Sequence, residues 1–156
     1  MDAAISHRIR RIFLSPRPNF PLLPAAELLG MTLKELKREI ETGAIVAVST
    51  GLGQRVTREE MIAAAMRRWE QSVIEEALGE HAAAVLPEAI RLVELRARVP
   101  RYQRDMLRYL AGRDATSVDA VLARELEDVA CAHAEELAAA VPGFAAALAW
   151  PEGAGA

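Results

Sequence analysis

Nine residues, Arg91-Leu92-Val93-Glu94-Leu95-Arg96-Ala97-Arg98-Val99, alternate in character as a β-strand does, and Pro100 follows them. On a period of two, Val93, Leu95, Ala97 and Val99 share one face, and Leu92, Glu94, Arg96 and Arg98 share the other. Proline has no backbone N–H and ends such a strand. From Arg101 the period becomes helical, with Met106, Leu107, Leu110 and Ala111 forming an apolar stripe. Residues 113–117 interrupt it. A second helix is predicted from Val118, with Val121, Leu122, Leu126, Val129 and Ala130 at close to 3.6 spacing. Thr116 and Asp119 have the spacing of a capping box, with Asp replacing the usual Glu. No second strand lies within this segment. A lone strand leaves a row of N–H and C=O groups unpaired and does not stand by itself. The simplest remedy is the same strand of a second chain, so the segment is expected to be a homodimerisation module.

Over residues 91–133 the order of strand, Val99-Pro100, helix, Thr116-Ser117 turn and helix resembles the ribbon-helix-helix DNA-binding proteins of the Arc and MetJ type. The resemblance implies a two-stranded ribbon whose polar face enters the major groove of double-stranded DNA. Glu94, Arg96 and Arg98 would then contact bases, Thr116 and Ser117 would clamp a phosphate, and Val93, Leu95, Ala97 and Val99 would form the dimer seam. Ala115 stands where that family usually has Gly, which alone enters the left-handed region freely.

Nearer the N-terminus, residues 1–20 carry Arg8, Arg10, Arg11 and Arg17, and Ser15-Pro16-Arg17-Pro18-Asn19 breaks regular structure. The stretch is expected to be a basic extended arm. Pro24 suits the first turn of a short helix ending at Gly30. Thr32 and Glu35 form a capping box opening a second helix, in which Leu33, Leu36 and Ile40 point inward and Lys34, Lys37 and Arg38 outward. After Gly43, the runs 45–49 and 54–57 flank Gly51-Leu52-Gly53 and predict a β-hairpin. Thr57 and Glu60 cap a further helix. The set, over residues 21–68, resembles the winged helix-turn-helix of the MerR and excisionase families. That resemblance places the helix from Thr32 in the major groove, with Lys34, Lys37 and Arg38 as contacts and Arg55 reaching the DNA backbone from the wing. Glu39 occupies a place where those families often carry an aromatic residue.

The helix from Arg58 is expected to continue through Ile62, Met66, Trp69 and Val73 as one long element of a 21–78 domain. Residues 79–90 are expected to be an acidic connector, and residues 91–136 the ribbon module. The tail, 137–156, carries Phe144, Leu148 and Trp150. These either fold back on the dimer or dock another protein, and residues 151–156 are expected to be disordered.

Net charge is −3, but its distribution is uneven. Residues 1–68 hold 11 basic and 7 acidic residues, and 91–113 hold seven Arg against two acids. The acids concentrate in 69–90 and 114–156. A nucleic acid responds to the local field, so the overall sign does not exclude one. No apolar run is long enough to span a membrane, the start lacks the apolar core of a secretory signal, and Cys131 is alone. A cytoplasmic protein is therefore expected. No cofactor or metal is expected, because Cys131-Ala132-His133 cannot put both ligands on one helical face and no second pair accompanies it. Gly51-Leu52-Gly53 lacks the Lys-Ser/Thr of a phosphate-binding loop, and no nucleophile–base pair is visible, so an enzyme is not expected. The sequence thus predicts a mainly α chain with an N-terminal winged helix-turn-helix, a short hairpin and a C-terminal ribbon-helix-helix module. The reading that follows is a dimeric, repressor-like transcriptional regulator. The alternatives are an antitoxin-like protein whose tail binds a partner protein, and a dimeric scaffold without DNA.

Overall fold

In the computed structural model, which describes residues 2–151, the basic N-terminal stretch is a helix rather than an extended arm. Helix α1 (Ala3–Phe13) starts where the Asp2 carboxylate accepts the Ala4 N–H at 2.8 Å. Ile5, Ile9, Ile12 and Phe13 recur at helical spacing, and the last three are fully buried. Arg10 and Arg11 sit on the opposite, exposed face. The prolines act only after Phe13, where the helix has already ended.

A strand with no local signature follows. β1 (Asn19–Pro21) pairs antiparallel with β3 (Gly53–Thr57), placing Phe20 opposite Val56. β2 (Ala47–Thr50) pairs with the other edge of β3, giving the order β1-β3-β2. The predicted hairpin forms, and Thr50 opposite Gly53 leaves Gly51-Leu52 as its two-residue turn. Between β1 and β2 lie α2 (Leu22–Leu29) and α3 (Leu33–Glu41). Gly30 ends α2 in the left-handed region at φ 70°. A side chain there would also meet the Arg8 guanidinium at 2.9 Å.

Thr57 caps α4 (Arg58–Arg68) by accepting the Glu60 N–H at 3.2 Å. The expected long helix stops there. Trp69 is extended (φ −120°, ψ 139°), and α5 (Gln71–Leu78) begins anew. The break lets α5 pack on α1, with Ile74, Ala77 and Leu78 buried and Arg10 donating to the Ala77 carbonyl at 3.4 Å. Residues 79–90 are not a solvated connector either. Leu86, after α6 (Ala82–Val85), is buried, and Val85 and Ile90 pack on the same core. Gln71 donates to the Ile90 carbonyl, and Glu75 accepts the Leu92 N–H at 2.7 Å.

The chain divides into two units: one built from residues up to Leu92 and the segment beginning at Ala149, the other Val93–Leu148. Trp150, in the first unit, packs against its core. The second unit holds α7 (Arg101–Arg113), α8 (Val118–Ala132), α9 (Ala134–Ala140) and α10 (Phe144–Ala149), the last reaching the boundary. Residues 91–100 form no helix and pair with no strand among the described residues. The α7–α8 turn closes around Ala115 at φ 51°, where the Thr116 N–H reaches back to the Ala111 carbonyl at 3.0 Å. This is a helix stop of the kind Gly favours, and an L-residue there costs about 1–2 kcal/mol. The N-cap of α8 is Ser117, not Thr116: its Oγ accepts the Ala120 N–H at 3.0 Å. Of the disorder expected for 151–156, residues 152–156 lie outside the described residues, and Pro151 stands in a turn.

Because α1 is a core element, Phe13→Ala should lower stability by about 3–5 kcal/mol in urea unfolding. A change within about 0.5 kcal/mol is what a solvated arm would give.

Candidate nucleic-acid interface

The Thr32 hydroxyl accepts the Glu35 N–H at 3.2 Å, while the Glu35 carboxylate accepts the Thr32 N–H at 2.7 Å and its O–H at 2.8 Å. Both halves of the predicted capping box are therefore made, which fixes where α3 starts and which face it turns inward. The Thr32 N–H, then its hydroxyl, hold the Glu35 carboxyl below its ordinary range, and Arg38 and Arg68 add weaker attraction.

Leu36 is fully buried, and from it the rest of the helix follows by rotation. Lys34, Lys37 and Arg38, at i, i+3 and i+4, share the exposed face. None of the three side chains makes a hydrogen bond or ion pair with a described residue. Glu39 is turned toward α4, where Arg68 meets it at 3.3 Å and also donates to the Leu29 carbonyl at 3.1 Å. Glu39 is thus held to the side of the stripe, while Glu35 and Glu41 share its surface.

Arg55 does not project from the wing. Its guanidinium donates to the Asn19 side-chain oxygen at 2.6 Å, across the β1–β3 pair. Its Nε is buried without a partner. The wing instead presents Leu52 at its tip, 83% exposed.

In the second unit the seam residues Val93, Leu95, Ala97 and Val99 are all exposed, Val93 at 86% and Leu95 at 69%. Glu94 and Arg96 pair with each other, Nε and Nη2 of Arg96 lying 2.9 and 3.3 Å from the two carboxylate oxygens. Arg98 stands exposed near them. Thr116 and Ser117 lie in the α7–α8 turn beside Asp114. That carboxylate takes Arg113 Nε at 2.6 Å and Nη2 at 3.0 Å, and Arg124 Nη1 at 3.1 Å. Sequence reasoning missed this cluster. Its signal was an acid between two arginines one helical turn-and-loop apart, which pattern reading assigns to solvent.

The α7–α8 pair is joined through Ala111 and Val121, the two buried apolar residues of this unit. Met106, Leu126 and Val129 of the predicted stripes remain about half exposed, and Tyr102 and Tyr109 more so, at 68% and 70%.

Compared with known protein families, curated proteins and solved structures, the chain matches none. Among the described residues, no helix is long and apolar enough to cross a membrane, and no group of three His, Cys, Asp or Glu could hold a metal ion.

The two guanidiniums lower the Asp114 carboxyl to about 2, Arg113 contributing most. The unfolded chain, with an ordinary Asp near 3.9, therefore binds more protons between about pH 4 and pH 2. Asp114 contributes its stability above that window and loses it as the pH falls through it. The α7–α8 helical signal of the wild type should exceed that of Asp114→Asn at pH 5, the gap closing toward pH 2. A gap that widened on acidification would contradict the arrangement.

Proposed function

We propose that this protein is a dimeric DNA-binding regulator whose α3 enters the major groove of double-stranded DNA. One observation carries the reading. A reciprocally capped helix, braced by Leu36 inside and Arg68 alongside, displays Lys34, Lys37 and Arg38 together on its outer face with no internal partner. Such a stripe suits phosphate and base-edge contacts, and α2, the Gly30 turn and the β2–β3 hairpin follow the order of a winged helix-turn-helix. Thr32 gives its N–H and O–H to the Glu35 carboxylate, so in this reading it sets the start of α3 rather than holding a phosphate. Arg55 belongs to the sheet in this reading rather than to the DNA contact.

The homodimer rests on the second unit. A helical pair with two buried apolar residues and an exposed alternating segment leaves most of its apolar surface without a partner. The 91–99 segment is also self-complementary in one register. Opposite residues of an antiparallel pair share a face, so a two-fold axis must pass through a residue position. With the axis at Leu95, Glu94 of each copy faces Arg96 of the other, Val93 faces Ala97, and Leu95 meets itself. An axis at Glu94 or Arg96 sets like charges opposite each other, and one at Ala97 sets Arg96 against Arg98. Opposed charges across a ladder stabilise it and like charges destabilise it.

A second reading, in which the ribbon dimerises without touching DNA, is favoured by the Glu94–Arg96 pair, since each group already satisfies the other. The tail as a docking segment for a partner protein stands behind both.

Fluorescence anisotropy against duplex DNA from upstream of the chain's own coding region tests the DNA reading. Binding should weaken steeply with salt. Lys37→Ala or Arg38→Ala should cost about 1–3 kcal/mol if the residue reads a base, or lower the salt slope by about 1 if it meets a phosphate. Equal binding by both variants would remove α3 from the interface. The dimer has a separate test. In a Cys131→Ser background, Leu95→Cys should oxidise to a covalent dimer, because facing Cα atoms lie within about 4.5–5.5 Å, inside disulfide range. Crosslinking at Glu94→Cys or Arg96→Cys but not at 95 would overturn the register.

A further inference from the structure

Four arginines of the first unit are tied to a carbonyl or a side-chain oxygen of its core: Arg55 to Asn19, Arg58 to the Phe13 carbonyl, Arg67 to Glu60 and the Ala44 carbonyl, Arg68 to Glu39 and the Leu29 carbonyl. Apart from the α3 stripe, a second basic group lies at the C-terminal end of α1. His7, Arg10, Arg11 and Leu14 follow at i, i+3, i+4 and i+7 and share the face opposite the buried Ile9, Ile12 and Phe13. Beyond Leu14 the chain turns. The Ser15 hydroxyl accepts the Arg17 N–H at 3.3 Å. His7, Arg10, Arg11 and Arg17 line the resulting depression, of about 560 Å³, together with Leu14 and the Ser15-Pro16 turn.

No carboxylate lines this depression, although the chain as a whole is acidic. Arg10 is held in place by the Ala77 carbonyl, while Arg11 and Arg17 are exposed and make no side-chain hydrogen bond or ion pair with a described residue. Like cations gathered on one concave surface repel one another, and an anion among them removes that cost. Guanidinium forks offer paired donors that fit the oxygens of a phosphoryl group, and an imidazole adds a further nitrogen.

We infer that the depression formed by His7, Arg10, Arg11 and Arg17 binds a phosphoryl oxyanion. It is a site separate from the α3 stripe and does not depend on the DNA reading. It lies on the same helix as Arg8, whose guanidinium covers Gly30 at the α2–α3 turn. The phosphoryl group is supplied either by a free anion or by a nucleic-acid backbone running past α1.

The full chain, with its histidine imidazoles followed by NMR at constant pH and ionic strength, is titrated with inorganic phosphate and separately with duplex DNA. Saturable movement of the His7 resonances with phosphate, abolished in Arg11→Ala/Arg17→Ala, would establish the site for a free anion. Movement with the duplex alone, lost in that double variant and retained in Lys37→Ala/Arg38→Ala, would assign the phosphate to a nucleic-acid backbone. Both substituted arginines are exposed, so the fold should survive, and an unchanged far-ultraviolet spectrum checks this. No movement with either titrant, or equal movement in Arg11→Ala/Arg17→Ala, would overturn the inference.

Discussion

The first unit depends on the pairing of Phe20 with Val56. β1 is three residues long, yet it ties the N-terminal segment to the end of the hairpin and places two buried side chains opposite each other in the core. Arg58 reinforces the junction twice: its N–H donates to the Pro18 carbonyl at 2.9 Å and its guanidinium to the Phe13 carbonyl at 2.7 Å. With that junction made, α1 is held against α2, α4 and α5, and its Ile9, Ile12 and Phe13 complete the core. The inner side of α3 is then occupied through Leu36, which leaves its cations no direction but outward. Exposure of the stripe follows from burial elsewhere.

The second unit follows the opposite logic. Its helices are well formed at their ends, through the Ser117 cap and the Asp114–Arg113–Arg124 cluster, but they enclose little. A large apolar side chain fully removed from water contributes about 1.5–3 kcal/mol, and here only Val121 is so removed, with the small Ala111 nearly so. Tyr102, Met106 and Tyr109, one helical face at i, i+4 and i+7, stay exposed together with the alternating segment before them. In the proposed dimer these are the surfaces left for a second copy to cover.

What was legible in the sequence was local. The Thr32–Glu35 box, the stop at Gly30, the Thr57 cap and the hairpin turn each involve residues a few positions apart and each formed, although the Glu60 carboxylate meets Arg67 instead of closing a box with Thr57, and Gly53 joins the strand. What was not legible needed distant partners. β1 is too short to announce itself and exists because β3 offers an edge. α1 was obscured by its arginines and the prolines beyond it, although Ile5, Ile9, Ile12 and Phe13 carried the helical period. The break at Trp69 and the burial of Leu86 answer to α1 and the core rather than to their neighbours. For the candidate site, helical spacing was enough to put Lys34, Lys37 and Arg38 on one face. It could not show that Arg55 would turn to Asn19, Glu39 to Arg68, or Glu94 to Arg96, since those choices are made in three dimensions.

In the proposed regulator, α3 is the element that meets DNA. The most direct measurement is amide NMR of the isotope-labelled full chain titrated with a duplex from upstream of its own coding region. The largest changes should fall on Thr32–Glu41, centred on Lys34, Lys37 and Arg38. Changes absent from α3, with the 91–99 segment or no residue at all responding, would contradict it.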